Sequence, residues 1–198
     1  MSGRVQRIAT ALQRRIERYY RLEEAPAVVD FLQVRPSGEA REAVRLVEAE
    51  DGALEIEVIA PELPEPPSLD GYCQLIEGVS HFVYLAERAR TGLQTTQLEL
   101  ELQAEVDKFL VLALLREPFD LAHARRLHER LYERVAFLHP RDTVEGERYR
   151  LANDLAARLV RRLEVAYAST GRRSELRDTL ARFFRMGQKD KIGFAQAA

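Results

Sequence analysis

Tryptophan is absent from this chain, methionine appears twice and cysteine once, at Cys73. A lone cysteine forbids an intrachain disulfide and any zinc site built from several thiolates. The disulfide frameworks that hold small secreted domains together are therefore excluded. Long apolar runs are lacking too. The longest, Phe109 to Leu115, has seven residues, against the ~20 that a bilayer crossing needs. The first residues, MSGRVQRIATALQRR, are basic and amphipathic, without the continuous apolar core of a secretory signal. These absences point to a reduced, cytoplasmic setting and no membrane span. Signatures of chemistry are equally scarce. There is no glycine-rich phosphate loop, no His-Glu-x-x-His, no Gly-x-Ser-x-Gly and no kinase-like set. No cofactor is implied, and the expectation leans away from an enzyme.

What is present suffices for a sizeable core. The 198 residues are 46% hydrophobic and 31% charged, which fits a single domain spanning 1–198. The formal net charge is −2, but its distribution is uneven. Residues 1–22 carry +5, 23–70 carry −10, 71–115 carry −3 and 116–198 carry +6. The basic residues alternate with acids instead of forming a block, which favours contact between opposed surfaces, within the chain or between copies. The rival is nucleic-acid binding by the C-terminal arginines, densest at Arg161, Arg162, Arg172, Arg173 and Arg177. Tyr167 and Phe183 are near them in sequence, but fall at core positions, so stacking platforms are not evident. Arginine outnumbers lysine 27 to 3, a bias better ascribed to genome composition than to function.

The organising stretch is Leu98 to Leu115, LELELQAEVDKFLVLALL. Leu98, Leu102, Val106, Phe109 and Ala113 form one helical stripe, and Leu100, Val111 and Leu114 fall opposite, so this helix should be covered nearly all round. Before it, residues 4–22 place Val5, Ile8, Leu12, Ile16 and Tyr20 on one helical face, with Pro26 as a stop. A β region follows, in which Val44–Ala49 and Leu54–Ala60 flank a hairpin signal at Asp51-Gly52. A two-residue turn there would set Arg45 opposite Val58. Pro61 to Pro67 is a stiff connector between residues 1–60 and a helical remainder, 68–198.

Helix signals then recur. Ser68 or Asp70 opens a helix to about Arg90, and Thr96 with Glu99 forms a capping box for the central one. Asp120 opens a helix to Leu138, with Leu127, Leu131, Val135 and Leu138 inward. Asp142 with Glu145 opens another to about Ser169, with Leu155, Leu159, Leu163 and Tyr167 inward. Ser174 opens a last helix, and the tail should dock through Ile192 and Phe194. The fold expected is α+β: a small antiparallel hairpin or meander near the N-terminus, packed on a bundle of about five helices, with an N-terminal helix before it.

The best candidate for chemistry lies on the helix from 70 to 90. Opposite its stripe of Tyr72, Ile76, Val79 and Val83 lie Gln74, Glu77, His81 and Arg88. Glu77 and His81, at i and i+4, point the same way. An antiparallel helical hairpin would bring His81 near Glu105. Two carboxylates and an imidazole can hold Zn²⁺ or iron, or serve as general acid and base. Against this, a polar face opposite an apolar stripe is usually plain solvent-exposed surface, and Glu-x-x-x-His occurs only once in that form. His123 and His128 stand about 140° apart on a helix and do not converge. Cys73, at the margin of a stripe, reads as an inert thiol. The leading reading is a non-enzymatic protein acting through protein–protein contacts, self-association among them.

Overall fold

The computed structural model describes residues 2–23, 25–36, 41–48 and 54–197. The fold is α+β, and the chain divides after Leu93 into two compact units, Met1–Leu93 and Gln94–Ala198. The proline-rich connector lies inside the first unit.

In the first unit, helix α1 (Ser2–Tyr20) buries Val5, Ala9, Leu12, Ile16 and Tyr20, the stripe its sequence spells out. It ends before Pro26, at Arg21, whose φ of 55° is left-handed. Two buried polar residues on α1 then hold the chain that leaves it. Gln13 Nε2 donates to Glu17 Oε1 at 2.8 Å and to the Pro26 carbonyl at 2.9 Å, while the Val28 N–H donates to Gln13 Oε1 at 2.8 Å. A 3-10 turn at Val28–Asp30 leads into β1 (Leu32–Arg35). Strands β2 (Ala43–Glu48) and β3 (Leu54–Pro61) complete a sheet of order β1-β3-β2.

The β2–β3 pair is antiparallel, as the hairpin signal implies, but β1 joins β3 in parallel, so the sheet is mixed. The central place of β3 explains its composition. Val58, Ile59 and Ala60 are all buried, the continuous apolar run of a strand covered on both faces. The hairpin register sets Val44 opposite Val58 and Arg45 opposite Glu57. That is one residue off the register a two-residue turn would impose, and it sets Val58 against Val44 in place of Arg45. The Asp51-Gly52 turn itself lies outside the described residues. Helix α2 (Leu69–Arg90) opens on Ser68, whose hydroxyl accepts from the Gly71 N–H, and packs on both α1 and β3. Its last turn passes to Gly92, at φ 66°.

The second unit is helical throughout. Its axis is α3 (Gln97–Phe109), opened by the reciprocal capping box of Thr96 and Glu99. Helix α4 (Leu121–His128) starts on the Asp120 carboxylate, which accepts from the His123 N–H. Helix α5 (Val144–Leu163) starts on Thr143, whose hydroxyl accepts from the Gly146 N–H. The cap is thus one residue later than the Asp142 the sequence suggested. Helices α6 (Arg173–Arg185) and α7 (Gln188–Gln196) follow, the latter in what the sequence left as a tail. Within this unit α3 packs chiefly on α5 and also meets α4 and α7. Val111 and Leu114 are buried together with Leu102, Val106 and Phe109, so the stretch beginning at Leu98 is indeed covered nearly all round.

Three of these helices end in a π turn. Leu110–Leu114 continues α3, Glu129–Glu133 continues α4 and Glu164–Ala168 continues α5. One expectation fails there. The helix begun at Asp120 stops at Glu133, and Val135 and Leu138 are exposed instead of inward. The tail differs as well. Lys191 and Ala195 are its buried residues, whereas Ile192 and Phe194 are half-buried.

Candidate functional site

Along one side of α2 run Asp70, Gln74, Glu77, Gly78 and His81, at three- and four-residue steps. The chain entering β2 lies across them. The Glu42 N–H donates to Gln74 Oε1 at 3.1 Å, and Gln74 Nε2 donates to Asp70 Oδ2 at 2.7 Å. Arg41 reaches the other oxygen of Asp70 at 3.5 Å. This clamp fixes where the Glu42 side chain goes. It runs over Gly78, where an added Cβ would stand 3.2 Å from Glu42 Cγ and 3.2 Å from Val58 Cγ1. Its Oε1 ends 3.4 Å from His81 Nδ1, both side chains being 9% exposed. On the helix itself, a Glu77 carboxylate oxygen and a ring nitrogen of His81 lie within 4.8 Å of one another. Further along, Arg88 is buried and donates to the Tyr84 hydroxyl at 2.5 Å.

The polar side of α2 is therefore not plain surface, since His81 and Arg88 are buried and Gln74 and Glu77 half-buried. Of the three residues singled out from sequence, Glu77 and His81 come together in the first unit. Glu105 belongs to α3 of the second unit, where its carboxylate accepts from Lys108 Nζ at 2.9 Å. The acid that meets His81 in its own unit is Glu42, which sequence reasoning passed over. A signal existed. Glycine inside a helix costs about 1 kcal/mol against alanine, so Gly78 marked a close approach.

The C-terminal arginines are engaged within the chain. Arg162 donates to the carbonyls of Phe194 and Ala197 and stacks over the Phe194 ring, and burial pulls its pKa down. Arg172 pairs with Glu175, which lowers that carboxyl's pKa, and Arg173 pairs with Glu117 at 3.0 Å. Arg177 is half-buried, while Arg161 is exposed. Carboxylates, carbonyls at a helix end and an aromatic face thus take up the charge of Arg162, Arg172 and Arg173.

The second unit holds two further polar groups. On α3, Gln103 and Asp107 are fully buried, and so is Lys191 of α7. Lys191 Nζ donates to Gln103 Oε1 at 2.6 Å and sits 4.1 Å from the centre of the Phe183 ring, while Gln103 Nε2 donates to Asp107 Oδ1 at 3.1 Å. The other group surrounds His128. Its Nε2 meets the Ala157 carbonyl at 3.1 Å. A carbonyl only accepts, so Nε2 carries the proton. Nδ1 faces Glu133 Oε1 at 3.3 Å, a contact the imidazolium makes as a donor. Buried Glu164 lies nearby, its pKa raised by desolvation and held back by Arg125, at 3.9 Å, and by His128.

The outer side of α5 is different in kind. Val144 is 74% exposed, Leu151 41% and Val165, in the π turn, 64%; Leu138, just before the helix, is 66% exposed. Steps of seven and fourteen residues keep the three helical positions within about 60° of one another.

Compared with family models, with curated proteins and with solved structures, the chain matches none. Any assignment of function therefore proceeds from its own residues.

Proposed function

We propose that this is a non-enzymatic cytoplasmic protein that acts by protein–protein contact, and that its contact surface is the outer face of α5, used first for self-association. One observation carries the reading: Val144, Leu151 and Val165 stand exposed along one line of a single helix. Isolated exposed apolar residues are ordinary, but aligned ones mark interaction surfaces.

Charge on the same face supports a second copy as the occupant. The helix carries Glu147 in its first turn and exposed Arg161 in its last. Two α5 helices laid antiparallel and crossing near Asp154 set Val144 of one copy level with Val165 of the other, and Glu147 level with Arg161. The surface is thus self-complementary, as a twofold interface must be. Leu138 and Val135 lie on the connection into α5 and add apolar area, which a stable interface needs at about 800 Å² a side. Cys73, the single cysteine, is half-buried and forms no intrachain disulfide, in keeping with a reducing compartment. No helix among the described residues is long and apolar enough to cross a membrane.

Sedimentation equilibrium over a wide range of concentration tests the reading. The expected result is a reversible dimer that Leu151→Glu with Val165→Glu converts to monomer, with unchanged circular dichroism. A monomer at every concentration sinks it, and so does a dimer indifferent to those changes.

A further inference from the structure

The geometry points to a divalent-cation site in the first unit, ligated by Glu42, Glu77 and His81, independent of any surface on α5. Three observations converge on it. The Glu42 Oε1 to His81 Nδ1 separation is 3.4 Å, between side chains only 9% exposed. That is longer than an ordinary charge-assisted hydrogen bond. It is, however, the edge of a tetrahedron drawn around an ion with bonds of about 2.1 Å, which comes to about 3.4 Å. The second observation is Glu77, one turn before His81, with a carboxylate oxygen within 4.8 Å of an imidazole nitrogen. Glu42, Glu77 and His81 do not all lie within that distance of one another, so the half-buried Glu77 changes rotamer to share the ion.

The third observation is the way Glu42 is held. Its backbone N–H is fixed by Gln74, Gln74 is fixed by Asp70, and Gly78 has no Cβ to block the side chain. Supports of this kind keep a carboxylate aimed at a metal rather than at water. Glu42 comes from the strand entry and His81 with Glu77 from the helix, so an ion would bind the sheet to α2 inside one unit.

One imidazole and two carboxylates are an N/O donor set. They suit Zn²⁺, Mn²⁺ or Fe²⁺ and are a poor match for Cu(I), which prefers sulfur. Three protein ligands leave at least one coordination position to water, as in metal sites that act on a substrate.

The test is calorimetric titration of the EDTA-dialysed full chain with ZnCl₂ and with MnCl₂, alongside Co²⁺ absorption spectra. The expected result is one equivalent bound, a raised thermal midpoint, and visible Co²⁺ bands of nitrogen–oxygen coordination. His81→Gln and Glu42→Gln should each weaken binding at least tenfold and abolish the Co²⁺ bands. Because those two side chains are only 9% exposed, Glu77→Gln at the half-buried position serves as a further variant, least able to disturb the fold. No saturable binding to the wild type overturns the site. Full affinity retained in folded Glu77→Gln, or in folded His81→Gln, overturns it equally.

Discussion

Replacing Lys191 by methionine should destabilise the protein more than almost any other single change that preserves side-chain volume. Only three lysines occur beside 27 arginines, and two of them, Lys108 and Lys191, are buried. In a composition so biased to arginine, a lysine kept in the interior suggests a space that a planar guanidinium cannot occupy. Lys191→Met leaves the aliphatic stem and deletes the ammonium. The hydrogen bond to Gln103 Oε1 at 2.6 Å goes with it, and so does the contact with the Phe183 ring at 4.1 Å. A hydrogen bond to a charged group contributes about 1.5–3 kcal/mol and a desolvated cation–π contact about 2 kcal/mol. Deleting one member of a buried charged network costs about 3–5 kcal/mol in all. These figures overlap, and the methionine recovers some apolar burial, so a net loss of about 3 kcal/mol is expected.

With an urea m-value of about 2 kcal/mol/M, that loss moves the unfolding midpoint down by about 1.5 M. Circular dichroism in urea measures it directly. Lys191→Arg keeps the charge and should still destabilise, because the longer planar head has no room. The sharper assay is a double-mutant cycle with Asp107→Asn. Gln103 joins Lys191 to Asp107, so the second substitution should cost less in the Lys191→Met background, with a coupling of about 1–3 kcal/mol. A cost below about 1 kcal/mol for Lys191→Met, or strict additivity with Asp107→Asn, would refute the picture of one charge-compensated unit holding α7 to α3.

Two other perturbations test other parts of the structure. Gly146→Ala should lower stability by about 2 kcal/mol or more, although alanine is the better helix former, because its Cβ would lie 1.7 Å from the Pro140 carbonyl oxygen and only backbone movement relieves that; a thermal midpoint unchanged or raised contradicts it. Glu164 carries a pKa raised by burial, so its ionisation opposes folding: stability from this group is full below the usual carboxylate range and is lost as pH rises through its elevated pKa. Glu164→Gln should accordingly stabilise the protein at about pH 8 and make no difference by about pH 4; a benefit that grows in acid reverses the sign and rejects the argument.

Much of the helical layout was readable because capping chemistry is local. Thr96 with Glu99, Ser68 and Asp120 each satisfy backbone donors within three residues, and each stands where the sequence placed it. The parallel β1–β3 pairing and the shifted hairpin register were not readable, since both depend on what covers the sheet rather than on the strands alone. The polar side of α2 was half readable. The four-residue step joined Glu77 to His81, whereas Glu42 reaches His81 from a strand entry 39 positions earlier. No periodicity carries such a contact, and only the lone Gly78 hinted at it.

The deepest failure of periodicity has a single cause, met at the ends of α4 and α5. An α-helix repeats its inward face every three or four residues, but a π turn inserts an extra one. Beyond it, every α-based expectation points about 100° wide of the mark. At the end of α5 the inward stripe Leu155, Leu159, Leu163 extrapolates to Tyr167. The Glu164–Ala168 π turn buries Ala168 instead, five positions after Leu163, and leaves Tyr167 half-exposed and Val165 in solvent. At the end of α4, Leu127 and Leu131 are inward as expected. The Glu129–Glu133 turn then draws in Tyr132, whose hydroxyl donates to the Glu105 carbonyl at 2.8 Å, and Val135 is turned out. Val165 falls on the outer face by α steps alone, fourteen positions after Leu151, so the π turn displaces Tyr167 and not Val165 from its expected place. Restoring an α register there, by deleting Ala166, should keep Ala168 inward, now four positions after Leu163, and leave Val165 in the line. The deletion variant should therefore still dimerise in sedimentation equilibrium, and a folded variant that no longer self-associates refutes that geometry.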